Sequence, residues 1–203
     1  MGGFRIKIAA LFYGILTAVS IIWVYISHNN ISTLYIYNNN YLKNLPVIIQ
    51  LLISTAIGIG FGLLISKFSK FMVFKFPWAK DLHIEFRGVL GSLTSSDVMA
   101  FSLFSAIGEE IFFRGLIFST TGIVISSLIF GLLHIGPSKK FLPWPFQAII
   151  MGFAFAFLYI ITGTILTPIL AHFVINYQNL HFINSYDPSI KLPKSFKQSG
   201  SEI

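Results

Sequence analysis

Residues 8–26 run without a single charge, and comparable apolar stretches recur at 46–65, 97–118, 122–135, 146–162 and 164–183. No other feature constrains this chain as much. A helix needs about 20 apolar residues to cross the hydrocarbon of a bilayer, so a chain of 203 residues has room for six crossings and their loops. Its composition agrees: 55% of the residues are hydrophobic and 10% are charged, against about 25% charged in ordinary soluble domains. So much apolar surface also excludes a disordered chain. The run Ile8–Ile26 exceeds a secretory h-region of about 7–15 residues and is followed by no small-x-small cleavage site. It therefore reads as a first transmembrane helix. The absence of cysteine excludes disulfides, thiolate metal sites and a cysteine nucleophile.

The expected fold is an all-α polytopic bundle of about six transmembrane helices with a surface amphipathic segment. Residues 1–66 hold two N-terminal spans, the second being Pro46–Ile65, where Gly58 and Gly62 form a small-xxx-small pair suited to close helix approach. Residues 67–96 form an interfacial segment. There Lys67, Lys70, Lys75 and Lys80 interleave with Phe68, Phe71, Phe74, Phe76 and Trp78, a mixture that suits lipid headgroups rather than nucleic acid. Residues 97–185 form a four-helix transmembrane core. Its third span starts at Asp97 as N-cap and ends near Phe118. The links Ser119–Thr121 and Thr162–Gly163 are short enough to make tight helical hairpins, and Pro168 is expected to kink the last span. Residues 186–203 form a loose tail. With the N-terminus inside, every Lys and Arg outside the spans falls on the cytoplasmic side except Lys43, a strong positive-inside pattern that places both termini in the cytoplasm.

Charges inside spans are rare and usually functional. The third span carries Glu109, Glu110 and Arg114. Glu110 and Arg114 are four residues apart and can pair on one face. Glu109 lies about 100° further round the helix and is left without that partner, which makes it a candidate acid or base. The fourth span carries Phe130 and His134, and the sixth carries His172 and Asn176 on one face. If the two outer hairpin turns lie at equal height, a rise of about 1.5 Å per residue puts Glu109, His134, His172 and Asn176 within a slab of under about 10 Å. They can then converge in one cavity near mid-membrane. Tyr177, Gln178 and Asn179 extend the polar part of that span and are expected to line the cavity, whereas His28, His83 and His181 read as interfacial.

These residues, Glu109-Glu110-x-x-x-Arg114, Phe130-x-x-x-His134 and His172-x-x-x-Asn176, in this order on separate hydrophobic spans, resemble the CPBP family of CAAX proteases and bacteriocin-processing enzymes, also called Abi. The resemblance covers roughly residues 97–180. It implies an intramembrane endopeptidase of the glutamic type. Glu109 would be the base that activates water with help from His134, Arg114 would hold Glu110, and His172 with Asn176 would stabilise the oxyanion. Amide hydrolysis needs a base within reach of water and donors aimed at the developing O⁻, and these residue types suit both tasks.

The resemblance further implies a membrane-associated protein or peptide as substrate, the bilayer as setting and no nucleic acid. Short loops and small size are similar to the bacterial branch, which points to a bacterial cytoplasmic membrane. A metal-free site is expected, with zinc on Glu109, His134 and His172 as the alternative, because the helix with two His flanking a Glu that zinc peptidases commonly use is missing from the sequence. Two other readings compete: a non-catalytic membrane immunity or chaperone protein of the same fold, and a small transporter using the same groups as a proton relay. Against the transporter, the chain has no internal repeat.

Overall fold

A computed structural model describes residues 2–28, 32, 36 and 40–190. The expected loose tail lies outside the described residues from 191 onward, as do residues 37–39 of the first loop and the side chain of His28. The chain is an all-α, membrane-type bundle. Helix α1 spans Gly2–His28 and α2 spans Val47–Lys75; α3 is Pro77–Leu90 and α4 is Ser95–Glu110. A π-helical segment, Ile111–Ile117, joins α4 to α5, Phe118–Leu132; α6 is Pro143–Thr162 and α7 is Leu166–Ser185. Among the described residues, four stretches are long and apolar enough to cross a membrane: Phe4–Ser27, Val47–Lys75, Ser95–Leu132 and Lys139–Thr162. Helix α1 leaves Leu11, Phe12, Ile15, Ile22 and Trp23 exposed, an outer surface suited to lipid chains rather than water.

The stretch Ser95–Leu132 doubles back on itself. Ser126 Oγ donates to the carbonyl of Phe113 at 3.0 Å, and the rings of Phe113 and Phe130 meet edge to face at 4.8 Å. The expected hairpin is therefore present, but its break falls at Gly122, with φ 81° and ψ 179°, not within Ser119–Thr121. Those three hydroxyls return hydrogen bonds to carbonyls one turn earlier, at Gly115, Leu116 and Ile117. The helix thus continues to the first residue that takes a positive φ without strain. Gly163, with φ 74°, closes α6 in the same way.

Three other boundaries differ from expectation. Helix α2 continues to Lys75 instead of ending at Ile65, because nothing breaks it before Pro77. Proline disfavours helical backbone in the preceding residue, and Phe76 is extended at φ −120°, ψ 130°. Lys67 and Lys70 therefore sit on the last turns of α2, where Lys70 Nζ donates to Gln178 Oε1 of α7 at 3.0 Å. The separate helix within the expected interfacial segment is α3. The N-cap of α4 is Thr94 rather than Asp97: Thr94 Oγ1 accepts from the Asp97 amide while Asp97 Oδ2 accepts from the Thr94 amide, a reciprocal capping box. Pro168 lies in the first turn of α7, where its missing N–H has no helical partner to lose, so no kink is required there.

Small residues set the packing that matters for the site. Helices α2 and α7 approach at Gly58 and Gly62, where a Cβ would stand 2.6 Å from the Thr167 carbonyl oxygen and 2.7 Å from Val174 Cβ. Helix α6 meets α5 at Gly152, where a Cβ would lie 2.9 Å from Ser127 Cα. At the end opposite these hairpin turns, α3 is tied to the C-terminus of α7. Arg87 donates to the carbonyls of Ile183 and Asn184 and pairs with Asp187. His83, expected at the interface, is buried against Phe182 and Tyr186 with Nε2 2.9 Å from the Tyr186 carbonyl oxygen.

Candidate active site

The last turn of α4 presents the two adjacent glutamates to different neighbours. Glu110 is fully buried. Its Oε1 accepts from Arg114 Nη1 at 3.0 Å and from His172 Nδ1 of α7 at 2.9 Å. Arg114 Nη2 donates to the Gly152 carbonyl of α6 at 2.9 Å, and the guanidinium lies over the rings of Phe130 and Phe155 at 4.7 and 5.2 Å. One carboxylate and one guanidinium thus tie α4, the π-helical segment, α6 and α7 together. Stranding either charge in such an interior costs several kcal/mol, and the aromatic faces contribute cation–π attraction.

Glu109 belongs to a different set. Tyr13 of α1 donates its hydroxyl to Glu109 Oε1 at 3.1 Å, and Glu109 Oε2 lies 3.8 Å from His134 Nε2 at the end of α5. Oε2 has no hydrogen-bond partner among the described residues. His134 Nδ1 contacts the Phe130 carbonyl. A carbonyl only accepts, so Nδ1 carries the proton, and in the neutral ring Nε2 presents a lone pair. Two acceptors 3.8 Å apart are too far for a direct hydrogen bond and suitably spaced for one water that donates to both.

His172 is buried, stacked on Phe155 at 5.1 Å with 19° between the planes, and 6.2 Å from the Phe130 ring. The Phe130 ring thus neighbours the guanidinium and both imidazoles. Asn176, one turn beyond His172, donates to Ser105 Oγ at 2.9 Å; its amide retains a second N–H. Tyr177 and Gln178, expected to line the cavity, are engaged elsewhere, Tyr177 stacked on Phe173 and Gln178 held by Lys70.

Four further contributors lie outside the motif residues. Ser105 precedes Glu109 by one helical turn, and Tyr13 is a polar tip within an apolar span; both were visible as anomalies. The Gly152 carbonyl and the Phe155 face left no trace in the sequence. Tyr13 also borders an open, mostly apolar cleft between α1 and α4, whose walls include Ala10, Gly14, Thr17, Phe104 and Gly108. Among the described residues, no three His, Cys, Asp or Glu side chains are gathered as a single metal ion would need.

Residues 92–178 match the family model of the type II CAAX prenyl endopeptidases, Rce1-like. The matched stretch contains Glu109, Glu110, Arg114, Phe130, His134, His172 and Asn176, and leaves Tyr13 and all of α1 and α2 outside. No curated protein and no solved structure matches the chain.

Proposed function

We propose that this chain is a membrane endopeptidase that cleaves a peptide bond of a membrane-associated protein or peptide by glutamate-activated water, a reading supported by the match of residues 92–178 to the model of the type II CAAX prenyl endopeptidases, Rce1-like. The observation that carries this reading is the approach of Glu109 Oε2 on α4 to His134 Nε2 in the turn after α5, 3.8 Å apart, while the neighbouring Glu110 is committed to Arg114 and His172.

In this mechanism a water bridges Glu109 and His134 and attacks the scissile carbonyl. Glu109 accepts the proton and returns it to the leaving amine, so the products are a carboxylate and an amine. Asn176 offers its remaining N–H to the oxyanion. His172 donates Nδ1–H to Glu110 and is fixed by that bond beside the site. Preorganised donors of this kind act most strongly in a water-poor interior. Arg114 and Glu110 hold the imidazole of His172 in place and take no part in proton transfer. Every step is carried by this chain's own residues, with Glu109 and His134 holding the water between them. The cleft between α1 and α4 is the path by which an apolar substrate segment reaches Glu109 from the bilayer.

The test is the full chain reconstituted in vesicles and challenged with a library of membrane-anchored peptides. Wild type is expected to cleave a subset, Glu109→Gln none, and exhaustive chelation is expected to leave turnover intact. Cleavage by Glu109→Gln at the wild-type rate would remove Glu109 as the base. Loss on chelation with recovery on zinc addition would replace the mechanism by one in which Glu109 and the histidines are ligands.

A further inference from the structure

Tyr13 lies on α1, outside the stretch that carries the family resemblance, yet it supplies the only hydrogen bond to Glu109 among the described residues. Two independent features show that the contact is built in. The first is the approach of the helices: Gly108, immediately before Glu109, has no side chain, and a Cβ there would stand 2.8 Å from Tyr13 Cβ and 3.0 Å from Tyr13 Cδ1. Contacts that close are almost never tolerated, so a glycine at 108 is what lets the phenol reach over the carboxyl group. The second is the division of labour between the two oxygens. Tyr13 occupies Oε1, whereas Oε2 is buried, lacks a hydrogen-bond partner and faces His134. A carboxyl group held at one oxygen cannot rotate freely about its terminal bond, so the other stays aimed at the imidazole.

We propose that Tyr13 is a positioning residue for the glutamate-activated water, fixing the orientation of Glu109 from a helix that carries no motif of its own. This rests on the endopeptidase reading above. It makes α1 a working part of the site rather than an anchor. The groups that face Glu109 are Tyr13 from α1 and His134 from the turn after α5, with the Glu110–Arg114 pair on the neighbouring face of the helix. Of these, Tyr13 alone donates a hydrogen bond to it in the described structure.

Tyr13→Phe deletes one hydroxyl and retains the ring that packs against Gly108. In vesicles, with a membrane-anchored peptide cleaved by wild type, kcat is expected to fall about tenfold or more, as for loss of a hydrogen bond to a charged group, with KM and the melting temperature little changed. Gly108→Ala, which displaces the phenol without touching its chemistry, is expected to reproduce the loss in kcat. The infrared carboxyl stretch of Glu109, isolated in ¹³C-glutamate-labelled protein as the difference between wild type and Glu109→Gln, is expected to shift in Tyr13→Phe. An unshifted band together with an unchanged kcat overturns the proposal. If wild type cleaves no peptide, the endopeptidase reading fails, and the infrared band still decides whether Tyr13 orients Glu109.

Discussion

Glu109 and Glu110, consecutive in the chain, face separate partners: Glu109 Oε2 looks at His134 across 3.8 Å, while Glu110 Oε1 is bonded to Arg114 and His172. The helix makes this separation unavoidable, since successive side chains point about 100° apart. One glutamate is tied into the ion pair that holds the bundle and the other faces a histidine, so equal substitutions at the two positions should have unequal effects.

Glu110→Gln should lower the stability of the folded protein by about 3–5 kcal/mol, because it leaves the Arg114 charge uncompensated in the interior. Glu109→Gln should change stability little and remove turnover. Melting both variants in detergent checks the assignment. A larger loss of stability in Glu109→Gln would mean that the roles are exchanged.

Gly62→Ala should destabilise by about 1–3 kcal/mol, the usual cost of forcing extra volume into a close-packed contact, since its Cβ would press on Val174 and the Ala171 carbonyl. Gly60→Ala, whose Cβ meets nothing within 4 Å, should be neutral or slightly stabilising, because alanine favours a helix over glycine. Equal melting temperatures for the two variants would contradict the α2–α7 contact.

Lys43 and Lys139 should lie on opposite sides of the membrane, Lys43 outside, as the distribution of Lys and Arg requires. Both are exposed, and the chain contains no cysteine, so single cysteines can be placed at each. Cysteine at position 43 should react with a membrane-impermeant thiol reagent in intact cells and cysteine at position 139 should not. The reverse pattern would invert the topology.

His83 should loosen α3 as the pH falls. Burial pushes its imidazole below the ordinary value, against the opposing pull of the Tyr186 carbonyl. The fold therefore favours the neutral ring, so its contribution is present above the unfolded value of about 6.5 and is lost as pH falls through the lower folded value. Amide exchange over residues 77–90, corrected for intrinsic rates, should rise between pH 7.5 and 5. The rise should disappear in His83→Asn; persistence there would assign it to another group.

Much of this protein is decided by its sequence alone. Uncharged runs of bilayer length dictate a helical membrane protein, because hydrocarbon leaves backbone polar groups no partners but each other. The i,i+4 spacing of Glu110 and Arg114 likewise dictates their pairing, since a helix brings those positions together whatever surrounds it. Local rules also explain the break at Gly122 and the capping box of Thr94 and Asp97, even though the sequence reading placed both boundaries a few residues away. What local rules leave open is the rotation of each helix and the neighbour it meets. The chain cannot announce that Tyr13 reaches Glu109, that the Gly152 carbonyl receives Arg114, or that His172 bonds Glu110. Those contacts join residues 96, 38 and 62 positions apart. They exist because Gly58, Gly62, Gly108 and Gly152 let particular helix faces come close, and close packing of whole helices is a property of the assembled bundle rather than of any one segment.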